Sequence, residues 1–400
     1  KTFLEEEFPE TLQENEENFF LHPKGACGTC PYYDRCMERA VAANDLSLLP
    51  DIRKIQKRHL NRAGVLDIES LAGAKDGLLK KAGKATGVTF NGLGKLKSQA
   101  ISLVTNEPVS RGIFNSPREA CLTITEREMD LPGEKEGVMA LDFTDTSLVH
   151  IHFDMESNPY FSVEYLFGVM VDEPGKGGRR KKGPSEFYTA HTLLPDEEYR
   201  AFQSFLGRMD ECREKFGDEG FILFHYAHYE PTHLLALAEK FKGRSAELID
   251  RVDYLNRRMV DLYKLVRNTF YLPVRSYSIK EVAPCIKMLM GKKGLTGGHE
   301  WKKIQSLEEL ALELKKSGWA SSEIKDSLQE VAAVMKDFNL QDEALMFDAS
   351  ADMSVVWYNL YVERKKRVWM KLIEIYNEDD LNATRALVNW FLFMEKQNNG

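Results

Sequence analysis

The stretch LVHIHFDMESNP, residues 148–159, decides how the rest of the chain is read. Its side chains alternate, and residues two apart on a strand share a face. Val149, Ile151, Phe153 and Met155 point one way; His150, His152, Asp154 and Glu156 point the other. That alternation predicts a strand with an apolar face turned to a core. Two carboxylates at the end of a buried strand can share a metal ion, and hard oxygen ligands suit Mg²⁺ or Mn²⁺. Asp-x-Glu alone is also what any strand with one wet face shows. His150 and His152 read as core or supporting residues rather than ligands.

Working outward, MALDFTD (139–145), EYLFGVMVD (164–172) and EFYTAHTLL (186–194) read as further strands, with PGKGGRRKKGP (174–184) as a hairpin tip. A helix over 197–216, a short strand FILFHYA (221–227) and a helix from Pro231 follow. More helices are expected at about 251–267, 305–317, 321–336, 353–375 and 380–396. Antiparallel strands first, then alternating helices and a strand, predict an α/β class with a mixed sheet flanked by helices.

Two later segments carry acids against apolar runs, where an unpaired carboxylate is costly. Glu230 closes FILFHYAHYE and precedes Pro231, which favours the first turn of a helix; the helix dipole alone would place an acid there. Neighbouring His225, Tyr226 and His228 are candidates for lining a groove. In IEIYNEDDLNATRALVNW (373–390), Tyr376 and Asp380 stand four apart and share a helix face. Glu378 and Asp379 turn away from that stripe, so a solvated acidic patch is expected there. Asp154, Glu156, Glu230 and Asp380 together suit two divalent cations over a phosphodiester, with Tyr376 orienting or helping to deprotonate the attacking water. No Walker-type loop, Gly-x-Ser-x-Gly elbow or zinc-peptidase motif offers a rival chemistry.

Upstream, ACGTCPYYDRC (26–36) spaces Cys27, Cys30 and Cys36 as C-x2-C-x5-C. Zinc and iron–sulfur sites use such thiolates but need four ligands; His22 could complete a zinc site. Cys121, Cys212 and Cys285 lie singly in apolar surroundings and read as core thiols. Six cysteines in 400 residues make no disulfide scaffold, which points to a reducing cytoplasm. The net charge of -8 argues against a general polyanion coat, although basic runs at 53–62, 80–97 and 176–182 suit phosphates or solvated faces equally well. No apolar run spans a bilayer. A chain starting at Lys1 reads as a fragment.

The series FDMES, HYAHYE and YNEDD resembles the three exonuclease motifs of the DEDD superfamily, tyrosine subtype. In detail it is similar to the ribonuclease-H-like domain at the C-terminus of RecB-family predicted nucleases, supported by residues 260–284 and 349–361. The resemblance covers most of the chain from residue 20 onward. It puts Asp154 and Glu156 on motif I, Glu230 on motif II, and Tyr376 and Asp380 on motif III. It implies a 3′–5′ exonuclease, on DNA ahead of RNA, using two Mg²⁺ or Mn²⁺ ions beside or fused to a helicase in repair or defence. Two departures stand out: motif II usually carries aspartate where this chain has Glu230, and residues 291–345 read as an insertion. The rival from another class is a weak or inactive nucleic-acid-binding scaffold; a structure-specific endonuclease is a third reading.

The cysteine trio resembles that of iron–sulfur nucleases such as AddB, whose fourth cysteine lies far upstream. This implies a 4Fe–4S cluster, or Zn²⁺, once a fourth ligand is present. Residues 46–105 resemble tandem helix–hairpin–helix modules, with Gly92-Leu93-Gly94 in FNGLGKLKSQA as a phosphate-facing hairpin. The expected organisation is an acidic tail and cysteine segment over 1–45, a helix–hairpin–helix-like domain over 46–105, a linker over 106–137, and a ribonuclease-H-like exonuclease domain over 138–400.

Overall fold

A computed structural model describes residues 20–25, 27, 30–84, 90–128, 140–175, 180–296, 298–301, 304–340, 346–347 and 350–398. The acidic tail and residues 176–179 of the basic turn therefore lie outside the described residues. The chain divides into two compact units, one of Lys1–Arg111 with Phe270–Val282, the other of Gly112–Thr269 with Ala283–Gly400.

The second unit is built on strand β1 (Val149–Asn158). It pairs antiparallel with β2 (Val163–Pro174), which pairs antiparallel with β3 (Arg180–Thr189). On its other side β1 runs parallel to β4 (Phe221–His225), and β4 parallel to β5 (Met259–Asp261). The resulting five-stranded mixed sheet has the order β3-β2-β1-β4-β5, flanked by helices, an arrangement compatible with a ribonuclease-H-like fold.

The alternation in β1 sets both faces of this sheet. Val149, Ile151, Phe153 and Met155 are all buried in the main core. Phe153 stacks on Phe205 of helix α1 (Pro195–Phe216) with centroids 4.7 Å apart, and Phe167 lies 5.4 Å from the same ring. Offset aromatic pairs of this kind add to plain area burial. The opposite face carries His150, His152 and Asp154 and is covered by helix α4 (Arg367–Asn398), which follows α3 (Ala351–Arg364). Gly168 lies opposite Asp154 in the ladder, and a Cβ there would come within 1.8 Å of Asn377 Oδ1 on α4. A bare backbone at this point lets the helix settle onto the sheet.

Several local expectations change. Residues 140–145 of MALDFTD form no strand. The helix expected over 251–267 is two helices, Leu248–Asn256 and Leu262–Thr269, with β5 between them. Periodicity missed a strand of three residues because so short a run cannot show alternation. The helices expected at 353–375 and 380–396 are divided differently. Lys365 takes a left-handed φ of 54° and ends α3, and α4 runs unbroken through residues 376–380. Pro117–Glu128 is helical within the stretch read as a connector.

The first unit is helical: Tyr33–Ala42, Lys54–Arg62, Ile68–Ala72, Asp76–Lys84 and Phe90–Thr105. Leu46, Leu49, Leu60, Leu71 and Leu79 form its apolar centre. Asp67 caps Ile68–Ala72 through Ser70 N–H at 2.7 Å, a reciprocal box that satisfies the helix start. Val109–Ser110 pairs antiparallel with Phe270–Tyr271. Lys57, from the basic run, is not solvated: its ammonium is buried against Asp45 at 2.6 Å. Gly92 and Gly94 lie inside the helix Phe90–Thr105 and not in a hairpin, while residues 85–89 ahead of them are outside the described residues. No helix among the described residues is long and apolar enough to cross a membrane.

Candidate metal centre

Strand β1 and helix α4 bring together carboxylates more than two hundred residues apart. One oxygen each of Asp154, Glu156 and Asp380 lie within 4.8 Å of one another. Glu156 and Asp380 are buried, and Asp154 is partly so. Glu230, buried in the first turn of helix α2 (Tyr229–Phe241), lies beside Asp154 and raises its pKa. All four predicted acids therefore meet, although Glu230 falls outside the tight group of three.

Local chain geometry delivers Glu230 there. β4 ends at His225, and Ala227 then takes a left-handed φ of 73°, uncommon for a residue with a Cβ. Its N–H donates to Asp261 Oδ1 at the end of β5, 3.0 Å away, which holds the turn. Strain of this kind persists where the surroundings over-determine it. His228 then stands at the N-cap, placing Glu230 second in the helix. His225 is buried and contacts Glu230 Oε2 through Nδ1 at 3.3 Å, so it supports the acid. Tyr226 packs edge-on against Tyr263.

One oxygen of each carboxylate is held by a neutral or histidine side chain. Asn377 donates to Asp154 Oδ2 at 2.5 Å, and Ser354 donates to Glu156 Oε2 at 3.0 Å. Trp301 donates its indole N–H to Asp380 Oδ1 at 3.2 Å, and His225 meets Glu230. Ser354 in turn bonds the Tyr165 hydroxyl, and the Tyr165 ring stacks on Tyr358 at 4.0 Å. Sequence reasoning missed Asn377, Ser354 and Trp301. Ser354 lies in the supporting stretch 349–361 and Asn377 beside Tyr376, but nothing local marks either one as a partner of a particular acid.

The electrostatics follow from this crowding. Burial, then the charges of Asp380, Glu156 and Glu230, push Asp154 well above the usual aspartate range. Burial, followed by the Asp380, Glu156 and Asp154 charges, raises the Tyr376 phenol, so it keeps its proton. Burial opposes charging His225, but its hydrogen bond to Glu230 and the Glu230 and Asp261 charges raise it. Like charges held this close need protons or a cation between them. The all-oxygen donor set fits a hard divalent ion.

The two acids just before Asp380 correct another expectation. Asp379 is not solvated but buried, with His299 Nε2 3.5 Å from its Oδ1, and Ser185 donates to Glu378 at 3.1 Å. A continuous helix pressed on the sheet has too little exposed flank to keep both acids in water. His150 and His152 are core residues as expected, packed on Phe224 and kept neutral mainly by burial.

The cysteine trio shows no comparable gathering. Cys27 and Cys36 are partly buried and Cys30 is exposed, and all three are free thiols. Among the described residues, no group other than the three acids brings three ligand atoms within 4.8 Å. His22 is held neutral, its pKa lowered to about 4 by burial and the Lys57 and Lys24 charges. The iron–sulfur expectation thus finds no support in the placement of these side chains.

No curated protein and no solved structure matches the chain. A family model described as RNase_H superfamily matches residues 305–392, a segment that contains Tyr376 and Asp380 but none of the acids on β1 or α2. Together with the mixed sheet, this match supports a ribonuclease-H-like domain.

Proposed function

We propose that this protein is a metal-dependent nuclease, acting as a 3′–5′ exonuclease on single-stranded DNA. A ribonuclease-H-like domain suggests phosphodiester hydrolysis as the reaction class. The single observation carrying the reading is the convergence of Asp154, Glu156 and Asp380 within 4.8 Å, with Glu230 beside Asp154. These four acids would hold two Mg²⁺ or Mn²⁺ ions, which when bound supply charge stabilisation to an in-line displacement at phosphorus.

The chain's own groups do the remaining work. Asn377, Ser354 and His225 fix one oxygen of Asp154, Glu156 and Glu230, so the acids meet a cation already oriented. Tyr376, protonated and buried among the same acids, orients the attacking water through its O–H and does not act as its base. Glu230 in place of aspartate is compatible with this arrangement, because its side chain reaches Asp154 from the first turn of α2.

With Mn²⁺, the purified protein is expected to shorten 5′-labelled single strands from their 3′ ends, and Asp154→Asn or Asp380→Asn to stop this. Equal degradation by both variants removes the reading. Unchanged DNA affinity with no divalent-ion binding by calorimetry favours the scaffold, and cutting of circular single strands favours an endonuclease.

A further inference from the structure

The segment read as an insertion does not stay at the periphery. At its start, Gly298, His299, Glu300 and Trp301 run from the helix Ile279–Lys292 to the acidic cluster. Three consecutive residues anchor the run. A Cβ on Gly298 would fall 2.2 Å from Lys287 Cα, so only glycine permits this approach. Glu300 forms an ion pair with Lys287, and His299 faces the buried Asp379 at 3.5 Å. His299 also packs edge-on against Trp301, with centroids 5.3 Å apart. Trp301 then donates its indole N–H to Asp380 Oδ1 at 3.2 Å.

We propose that Trp301 is a positioning residue of the cluster: its indole N–H fixes Asp380 toward Asp154 and Glu156, so the run of residues 298–301 helps set divalent-cation affinity. The inference rests on the cation-binding reading above and adds to it a residue outside all three motifs. An indole suits this task because it is a donor only and carries no charge. A lysine or arginine in its place would hold the carboxylate equally well but would offset the negative charge the cation needs. Asp380 is the one acid of the close three that reaches the cluster from a helix, and its partner comes from a separate anchored run.

Outer-shell partners of metal ligands are worth ~10–100-fold in affinity. Mn²⁺ titrations by calorimetry should therefore show binding to the wild type, weaker by ~10-fold or more in Trp301→Phe and weaker still in Trp301→Lys, with Trp319→Phe unchanged. Trp301→Phe binding Mn²⁺ as tightly as the wild type overturns the proposal. Should that variant not fold, the wild type decides alone. Of its five indole N–H resonances, one is expected to move on adding Mg²⁺. If calorimetry registers the ion and no indole moves, Trp301 does not touch the ligand set. A wild type that binds neither ion removes the cation reading and this inference together, an outcome read without any variant.

Discussion

Two regions of this molecule looked like metal centres, and they behave oppositely. Cys27, Cys30 and Cys36 lie within ten residues, on a short run and the start of a helix, yet their three sulfurs do not come within 4.8 Å of one another. Asp154 and Asp380 lie 226 positions apart, yet they meet within 4.8 Å alongside Glu156. Proximity in sequence only limits how far ligands can separate. What brings them together is a strand and a helix locked face to face by a packed core, with one oxygen of each acid held from behind. A site built on rigid elements needs little further ordering when the ion arrives.

The largest expected effect tests the acid side of that contrast. Asp154→Asn or Asp380→Asn should cost several kcal/mol of transition-state stabilisation, ~10³-fold or more in rate, measured as release of nucleotides from labelled strands. Activity within tenfold of wild type in either variant would break the comparison.

The next tests the rigidity itself. In Gly168→Ala, the new methyl group must displace Asn377, which holds Asp154. Overpacking of this type costs ~1–3 kcal/mol, read as a lower urea midpoint, and losing the Asn377 contact should lower activity ~10-fold or more. A variant with wild-type activity would mean that the Asn377 contact contributes nothing.

A third expectation concerns pH. Asp154 has a raised pKa in the folded protein, so the folded state binds that proton more tightly than the unfolded one. Its contribution to stability is therefore fully present below the ordinary aspartate pKa near 4 and is lost as pH rises through the raised folded value. Without divalent ions, Asp154→Asn should melt above the wild type at neutral pH and match it near pH 3. Adding Mg²⁺ should stabilise the wild type and not the variant. Identical melting curves at neutral pH would contradict the crowding of charge around Asp154.

The smallest effect belongs to the other region. Cys27→Ser, Cys30→Ser and Cys36→Ser together should leave nuclease activity and melting within the scatter usual for surface changes, ~0.5 kcal/mol. A large loss would show that the thiols hold something after all.

The sheet and its acids were readable for a definite reason. In VHIHFDME the period of two is unbroken over eight residues, so both faces of β1 follow from the pattern, and the buried Phe153 and clustered Asp154 agree with it. Glu230 was placed near a helix start by Pro231 and stands second in α2. Local pattern failed where it had nothing to repeat: β5 is three residues long, and Asp379 has the same composition as a solvated acid. Gly92 and Gly94 suited a hairpin by composition and are helical.

Alternation along β1, a proline after Glu230 and helical spacing between Tyr376 and Asp380 were determined by the sequence alone, because each is a short-range consequence of backbone geometry. Which acids meet, and which side chain holds each one, was decided only by tertiary structure. Asn377, Ser354, His225 and Trp301 come from four segments, and no local rule pairs an amide, a hydroxyl, an imidazole or an indole with a carboxylate so far away in the chain. Hydrogen bonds at 2.5 to 3.3 Å depend on how the sheet and its helices pack, and that packing follows from the whole core and not from any one motif.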